Sequence, residues 1–135
     1  ELTDEKWDLY RRYLMARHAS PDSGDRDSLE RFLYASPVRT AEFTYRDPSD
    51  RLLAVGICDL ASQSISSVYF YYDPDQRRRG LGNFGALTEI AFAAAIGITY
   101  WYIGYWIQGS PAMEYKSSFR PHEILHPDGI WRAGT

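Results

Sequence analysis

Apolar positions along this chain recur first at helical spacing and then in the alternating or continuous runs of strands. Trp7, Tyr10 and Leu14 share one helical face behind an acidic first turn, Asp4 and Glu5, with Thr3 placed to cap it; a helix is predicted to run to about Arg17. The stretch Ser20-Pro21-Asp22-Ser23-Gly24-Asp25 reads as a loop, and a shorter helix is predicted over Ser28 to Tyr34 with Leu29, Phe32 and Leu33 inward, stopped by Ser36-Pro37. The period then changes. Thr40 to Arg46 alternates, Arg51 to Leu60 is an apolar run, and the turn Asp47-Pro48-Ser49-Asp50 joins them as a hairpin. After Ala61-Ser62-Gln63 a third strand covers Ile65 to Tyr72, which makes an antiparallel meander. An alanine-rich helix over Leu81 to Ile96 leads through Gly97 to an aromatic strand, Thr99 to Ile107, and strand, helix, strand in that order implies a parallel crossover. Ser110 and Pro111 open a last helix to about Ser118, and two short strands, His122 to Leu125 and Ile130 to Arg132, flank Pro127-Asp128-Gly129. The pattern is α+β: a mixed sheet flanked by helices.

The chain's most specific stretch is SISSVYFYYDPDQRRRGLGNFGALTEIAFAAAI, from Ser64 to Ile96. An aromatic, β-branched strand ends in Asp73-Pro74-Asp75; three arginines and a glycine loop then open a helix. Unpaired N–H groups and the positive end of the helix dipole favour an anion at such a junction. Gly80 and Gly82 allow close backbone approach, and Arg77, Arg78 and Arg79 add fixed positive charge. The spacing Arg77-x-x-Gly80-x-Gly82 lacks the Gly-Lys-Ser/Thr end of a Walker loop. GLGNFG fits the dinucleotide fingerprint formally, yet its neighbours are consecutive strands and not an alternating βαβ chain.

Composition narrows the picture. A chain of 135 residues with 44% apolar content is expected to form one globular domain, residues 1–135. At net charge −3 no general basic field attracts nucleic acid, so an RNA contact would rest on the local patch Arg77 to Arg79. The single Cys58 excludes an internal disulfide and a cysteine-based metal site. His122 and His126 are bracketed by Pro121 and Pro127, which keeps them off a shared helix face, so no metal is expected. His18, Arg11, Arg12 and Arg17, near the end of the first helix, read as partners of its dipole. No apolar run reaches the ~18 residues of a membrane span and no signal peptide opens the chain, so no membrane partner and a cytoplasmic location are expected. The chain starts without methionine in structured-looking sequence and is expected to be a piece of something longer.

The order of elements resembles the GNAT acyltransferase fold without its usual first strand. That resemblance implies a coenzyme A pyrophosphate on the loop at Arg77, Gly80 and Gly82, and Tyr115, in the helix after the following strand, as general acid toward the leaving group. A closer likeness lies in the words themselves. SSVYFYYDPD, RRRGLGNFGALTEIAFAAAIGITYWYIGYWI and GSPAMEYKSSFRPHEIL, together with LYRRYLMARHAS and DRLLAVGICDL, look like the C-terminal domain of the arginyl- and leucyl-tRNA–protein transferases, over about Glu5 to Trp131. The bacterial branch, which transfers leucine to N-terminal Asp or Glu, is the nearer one. The resemblance implies aminoacyl-tRNA as donor, a protein with an acidic first residue as acceptor, and no cofactor. Members of that family carry a separate N-terminal domain with clustered cysteines, which has no counterpart here. They also commonly have serine where this chain has Gly80. The glycine restores a coenzyme A-type loop, so a coenzyme A-dependent N-acyltransferase stands as an alternative, and a non-catalytic domain that binds acidic N-termini as a third reading.

Either transfer has the same chemistry: a neutral α-amine attacks an activated carbonyl through a tetrahedral oxyanion. Positioning alone can supply roughly 7–11 kcal/mol of the barrier. A base must still take the ammonium proton, and a proton donor assists the leaving group. Asp73, Tyr115 and Lys116 are the candidates for those roles. Tyr72, Asp75, Arg77, Arg78, Arg79, Gly80, Leu81, Gly82, Asn83 and Tyr105 form the candidate donor-binding set. Asp73 and Asp75 read equally well as a helix-capping turn around Pro74, and Tyr115 as a packing aromatic.

Overall fold

The computed structural model of the chain describes residues 1–18 and 25–134; the Ser20 to Gly24 part of the predicted loop and the His18 side chain lie outside what is described. The chain divides into two compact units, Glu1–Tyr102 and Ile103–Thr135.

The first unit is a four-stranded sheet, in the order β1-β2-β3-β4, with helices on both faces. Helix α1 spans Asp4–His18 and α2 spans Arg26–Leu33. Thr3 Oγ1 accepts from Lys6 N at 3.4 Å, and Asp25 caps α2 through Ser28 N at 2.8 Å. The buried face of α1 is centred on Leu9 and Tyr13, with Trp7, Tyr10 and Leu14 only partly covered beside it. Leu29 and Leu33 of α2 are buried as expected, whereas Phe32 is 59% exposed and meets Tyr69 edge-on.

Strand β1 (Thr40–Arg46) pairs antiparallel with β2 (Leu52–Leu60), and β2 pairs antiparallel with β3 (Ser64–Tyr72). Every residue of β2 from Leu52 to Cys58 is buried, because the strand is covered on both sides. Val55 and Ile57 join Leu9, Tyr13, Leu29, Leu33 and Tyr71 under α1 and α2. Ala54 packs with Leu81, and Cys58 with Ile65 and Ala93, under α3 (Leu81–Ala95). A continuous apolar run, in place of alternation, is what such a central strand requires.

The crossover through α3 returns parallel to β3 as anticipated, but the ladder is short. Ser64, Ile65 and Ser66 pair with Tyr100, Trp101 and Tyr102 of β4 (Tyr100–Tyr102), and there it ends. The predicted strand to Ile107 is therefore cut back to three residues. Gly104 takes φ +85°, a left-handed conformation that breaks an extended run. Just beyond the ladder's end, β3 carries a register shift: Ile57 faces Tyr69 while Cys58 faces Ser67, so Val68 is an extra residue.

The second unit is tied by Lys116, whose Nζ donates to the carbonyls of Ile103 at 3.1 Å and Tyr105 at 2.7 Å. The last predicted helix is absent as an α-helix: Ser110 O accepts from Met113 N and Glu114 N in a turn, followed by a 3₁₀ segment, Glu114–Ser118. So short a stretch, with no buried residue, lacks the packing that would stabilise a regular helix. Strands β5 (Glu123–Leu125) and β6 (Trp131–Ala133) pair antiparallel, with the connecting turn tied by Arg132 and Asp128.

Candidate functional site

The end of β3 turns sharply into a 3₁₀ segment, Pro74–Arg79, that the sequence pattern does not predict. Asp73 is its cap: Oδ1 accepts from Asp75 N at 3.0 Å, and the Asp73 carbonyl from Gln76 N at 2.9 Å. Pro74 suits the first position, where no N–H is needed. Asp73 is fully buried, with Oδ1 2.5 Å from Arg12 Nη2 and Oδ2 hydrogen-bonded to Arg51 Nη2. Arg12 also reaches Asp75 Oδ2 at 2.8 Å. Two guanidinium groups, one from α1 and one from the residue just before β2, thus converge on the turn. Arg12 pairs with these carboxylates, and the dipole role expected for it gives way to a tertiary ion pair. Asp73 caps the turn and is held by both guanidinium groups.

The next residues face outward. Arg77, Arg78 and Arg79 are exposed, and among the described residues none of them is paired with a carboxylate; Arg79 Nε bonds to Gln76 Oε1 at 2.7 Å. Gly80 sits at φ 62°, ψ 36°, reversing the chain between the 3₁₀ segment and α3. It is both the C-terminal cap of one and the N-cap of the other, and with no side chain it leaves the first N–H groups of α3 without a side-chain acceptor. Leu81 is buried against Leu53 and Ala54, which fixes the helix start on the sheet. Gly82 is open: a Cβ there would meet no atom within 4 Å. Gly85 is a packing glycine, since a Cβ would come within 2.2 Å of Phe70 Cε2. The formal third glycine of the GLGNFG fingerprint therefore serves helix-to-sheet contact. Asn83 is exposed on the first turn, and Tyr72 is half-buried with its ring edge-on to Tyr13 at 5.2 Å.

The first unit thus gathers Tyr72, Asp73, Asp75, Arg77, Arg78, Arg79, Gly80, Leu81, Gly82 and Asn83 around one turn. Tyr105, Tyr115 and Lys116 belong to the second unit. Tyr105 is 92% exposed and Tyr115 is 44% exposed. Burial holds the Lys116 ammonium below its usual range, and its Nζ donates to the carbonyls of Ile103 and Tyr105.

Several polar residues at the site carry no local signal in the sequence. Arg12 and Arg51 pair with an aspartate far away in the chain, which no short-range pattern reveals. Glu89 is the only charged residue of α3 and is buried; that lone acid in an otherwise apolar helix is its one available signal. Trp101 Nε1 donates to Glu89 Oε2 at 2.8 Å and Ser67 Oγ to Oε1 at 3.4 Å, while burial raises the carboxyl above its ordinary range. Cys58 lies in the same layer, its thiol likewise pushed up by burial. Among the described residues no group of three or more His, Cys, Asp or Glu side chains is arranged to hold a metal, and no helix is long and apolar enough to cross a membrane.

Comparison with known proteins places this geometry. The chain is similar to the ribosomal-protein-S18-alanine N-acetyltransferase of Escherichia coli, with a TM-score of 0.66 at 16% identity over 98% of this chain and 86% of that one. At that identity the likeness shows the fold, a GNAT-like α+β arrangement with a mixed sheet between helices. Sequence similarity is stronger. The chain is 42% identical over 135 residues to an aspartate/glutamate leucyltransferase of Halorhodospira halophila, covering 98% of this chain and 57% of the relative. It is 41% identical over 137 residues to the enzyme of the same name from Ruegeria pomeroyi, covering 98% and 50%. The chain thus spans about half the length of the curated relatives it matches. Residues 5–126 match the family model described as "Arginine-tRNA-protein transferase, C terminus", and the chain belongs to that family.

Proposed function

We propose that this chain is an aminoacyltransferase unit that moves an amino acid, leucine or arginine, from a charged tRNA to the α-amine of a protein beginning with Asp or Glu, in a cytoplasmic setting and without a cofactor. The observation that carries this reading is the turn after β3. Three exposed arginines, without carboxylate partners among the described residues, stand immediately before an uncapped helix start, within a chain of this family. Phosphates of the tRNA acceptor end fit that turn, because guanidinium groups and helix N–H donors both favour anions.

In this reading the terminal ester lies along β3 beyond Ser66, where the strand has no β4 partner. The acceptor amine attacks the ester carbonyl; a C–N bond forms and the C–O bond to the ribose breaks. The ammonium proton leaves before attack; as the intermediate collapses, the attacking nitrogen gives up a second proton and the ribose oxygen gains one. Asp75, with one oxygen on Arg12 and its side chain mostly exposed, is the carboxylate available to the incoming ammonium. Tyr115 is the candidate proton donor. Asp73 acts through the turn it caps, and Lys116 through the backbone of Ile103 and Tyr105. Catalysis of an already activated ester then rests mainly on positioning.

Thermal-shift titration tests the donor side. Leucyl- or arginyl-tRNA raises the melting temperature in this reading, and peptides beginning with Asp or Glu raise it more than the same peptides beginning with Ala. Stabilisation by coenzyme A thioesters and not by charged tRNA would replace this reading with the coenzyme A-dependent one.

A further inference from the structure

Glu89 is 1% exposed, on the face of α3 that meets the sheet. Its carboxyl lies among groups from all four strands. Trp101 of β4 and Ser67 of β3 donate to it; Gly56 of β2 makes room, since a Cβ there would lie 3.2 Å from Oε1; Tyr45 of β1 contributes a buried hydroxyl that interacts with both Thr88 and Glu89. Cys58 of β2 also meets it, through its thiol. The apolar residues under α3 fall into two separate clusters, one around Leu53, Ala54 and Leu81, the other around Cys58, Ile65 and Ala93. A buried carboxyl is costly to desolvate, and a leucine or methionine of similar size would cover the sheet without that cost. Packing alone therefore gives no reason for an acid here.

Its hydrogen bonds to Ser67 and Trp101 supply one. Ser67 and Trp101 lie on the strands whose ladder ends at Ser66 and Tyr102. Ser67 is the first β3 residue past that ladder, and the extra residue Val68 follows it. One carboxyl thus holds both strands at the point where they part, just where pairing between β3 and β4 stops.

We propose that Glu89 is a positioning residue for acyl transfer: by bridging Trp101 and Ser67 it fixes the fork of β3 and β4 and so the β3 backbone from Ser67 to Phe70, which is paired with β2 but has no β4 partner. This rests on the transfer reading above, in which the donor ester lies along that backbone. The acid exchanges no proton with substrate. Its role is geometric.

The test compares Glu89→Leu, Glu89→Gln and Trp101→Phe in the whole chain by melting temperature, amide hydrogen exchange at Ser67 to Phe70, and single-turnover transfer from charged tRNA. Gln keeps an acceptor for Trp101 and a partner for Ser67, so it retains protection and most of the rate. Leu folds with an undiminished melting temperature, loses protection at Ser67 to Phe70, and slows kcat by about 10²-fold with little change in KM. Unaltered exchange in Glu89→Leu overturns the bridge, and so does a Gln variant as impaired as Leu. Faster exchange with a full rate overturns the link to transfer. Should Glu89→Leu fail to fold, Trp101→Phe, which removes one donor and keeps an aromatic ring, carries the same prediction at smaller amplitude. If the parent chain transfers from no donor, the transfer reading fails by itself, and exchange still decides whether Glu89 holds the fork.

Discussion

Arg12 Nη2 lies 2.5 Å from Asp73 Oδ1, joining the middle of α1 to the turn that opens the glycine loop, 61 residues further on. Arg51 closes on the other carboxylate oxygen. Removing a buried acid leaves two guanidinium groups facing each other, but both are nearly half exposed, so water moderates the penalty. Asp73→Ala is expected to lose about 1–3 kcal/mol of stability in urea unfolding, in the range for a buried polar group deprived of its partner. Arg12→Ala should lose less, since Arg51 still holds Asp73. A loss in Asp73→Ala no larger than in Arg12→Ala would show that the turn does not depend on the double pairing.

The three arginines after this turn form no ion pair among the described residues, so their joint replacement by alanine should leave the melting temperature nearly unchanged. If they contact RNA phosphates, the triple variant binds tRNA more weakly, and the slope of log affinity against log salt flattens by roughly one unit for each phosphate no longer neutralised. Fluorescence titration at several salt concentrations reads both effects. Equal slopes for variant and parent would remove the arginines from the RNA interface.

Gly82 and Gly85 are three residues apart on α3 and should respond oppositely. A Cβ at Gly82 would meet no atom within 4 Å, so Gly82→Val should keep stability while blocking a donor that approaches the backbone. Gly85→Ala forces its methyl into Phe70 and should cost about 1–3 kcal/mol, as overpacking does. Melting temperature and tRNA affinity, measured on both variants, separate the two roles. A stable Gly82→Val that binds donor normally would place the ligand elsewhere.

Much of this is legible from local pattern, because the meander, the crossover and the glycine loop depend on short-range signals. Alternation in Thr40 to Arg46, the apolar run over β2 and the glycine at the left-handed position 80 each name their own structure. Other features depend on distant partners. The Arg12 and Arg51 pairs with Asp73 and the bridge from Glu89 to Ser67 and Trp101 exist only once the sheet has formed. The aromatic run after Gly97 has strand character throughout, yet it pairs only to Tyr102; Gly104 interrupts it, and Lys116 takes the carbonyls of Ile103 and Tyr105. Ser110-Pro111 signals a helix start equally well as the turn observed there.

Glu89 also makes stability depend on pH. Its ordinary carboxyl value is 4.5, and burial raises it in the folded chain. The unfolded chain therefore releases this proton at lower pH than the folded one. The stabilisation from the neutral carboxyl is complete below the unfolded value and is lost as pH rises through the folded value. Relative to Glu89→Gln, which does not titrate, the parent chain should lose stability over that interval. Urea unfolding of both from about pH 4 to about pH 8 measures the difference. A difference constant across that range would mean that the carboxyl is as easily ionised inside the protein as outside.

The central claim is transfer itself. Leucyl-tRNA and arginyl-tRNA, each labelled in the amino acid, are incubated with the chain and with three peptides that differ only in beginning with Asp, Glu or Ala; mass spectrometry locates the added residue. The account predicts a leucyl or arginyl group on the α-amine of the Asp and Glu peptides and none on the Ala peptide. Modification by an acyl group from coenzyme A in a parallel reaction, with none from either charged tRNA, would contradict it.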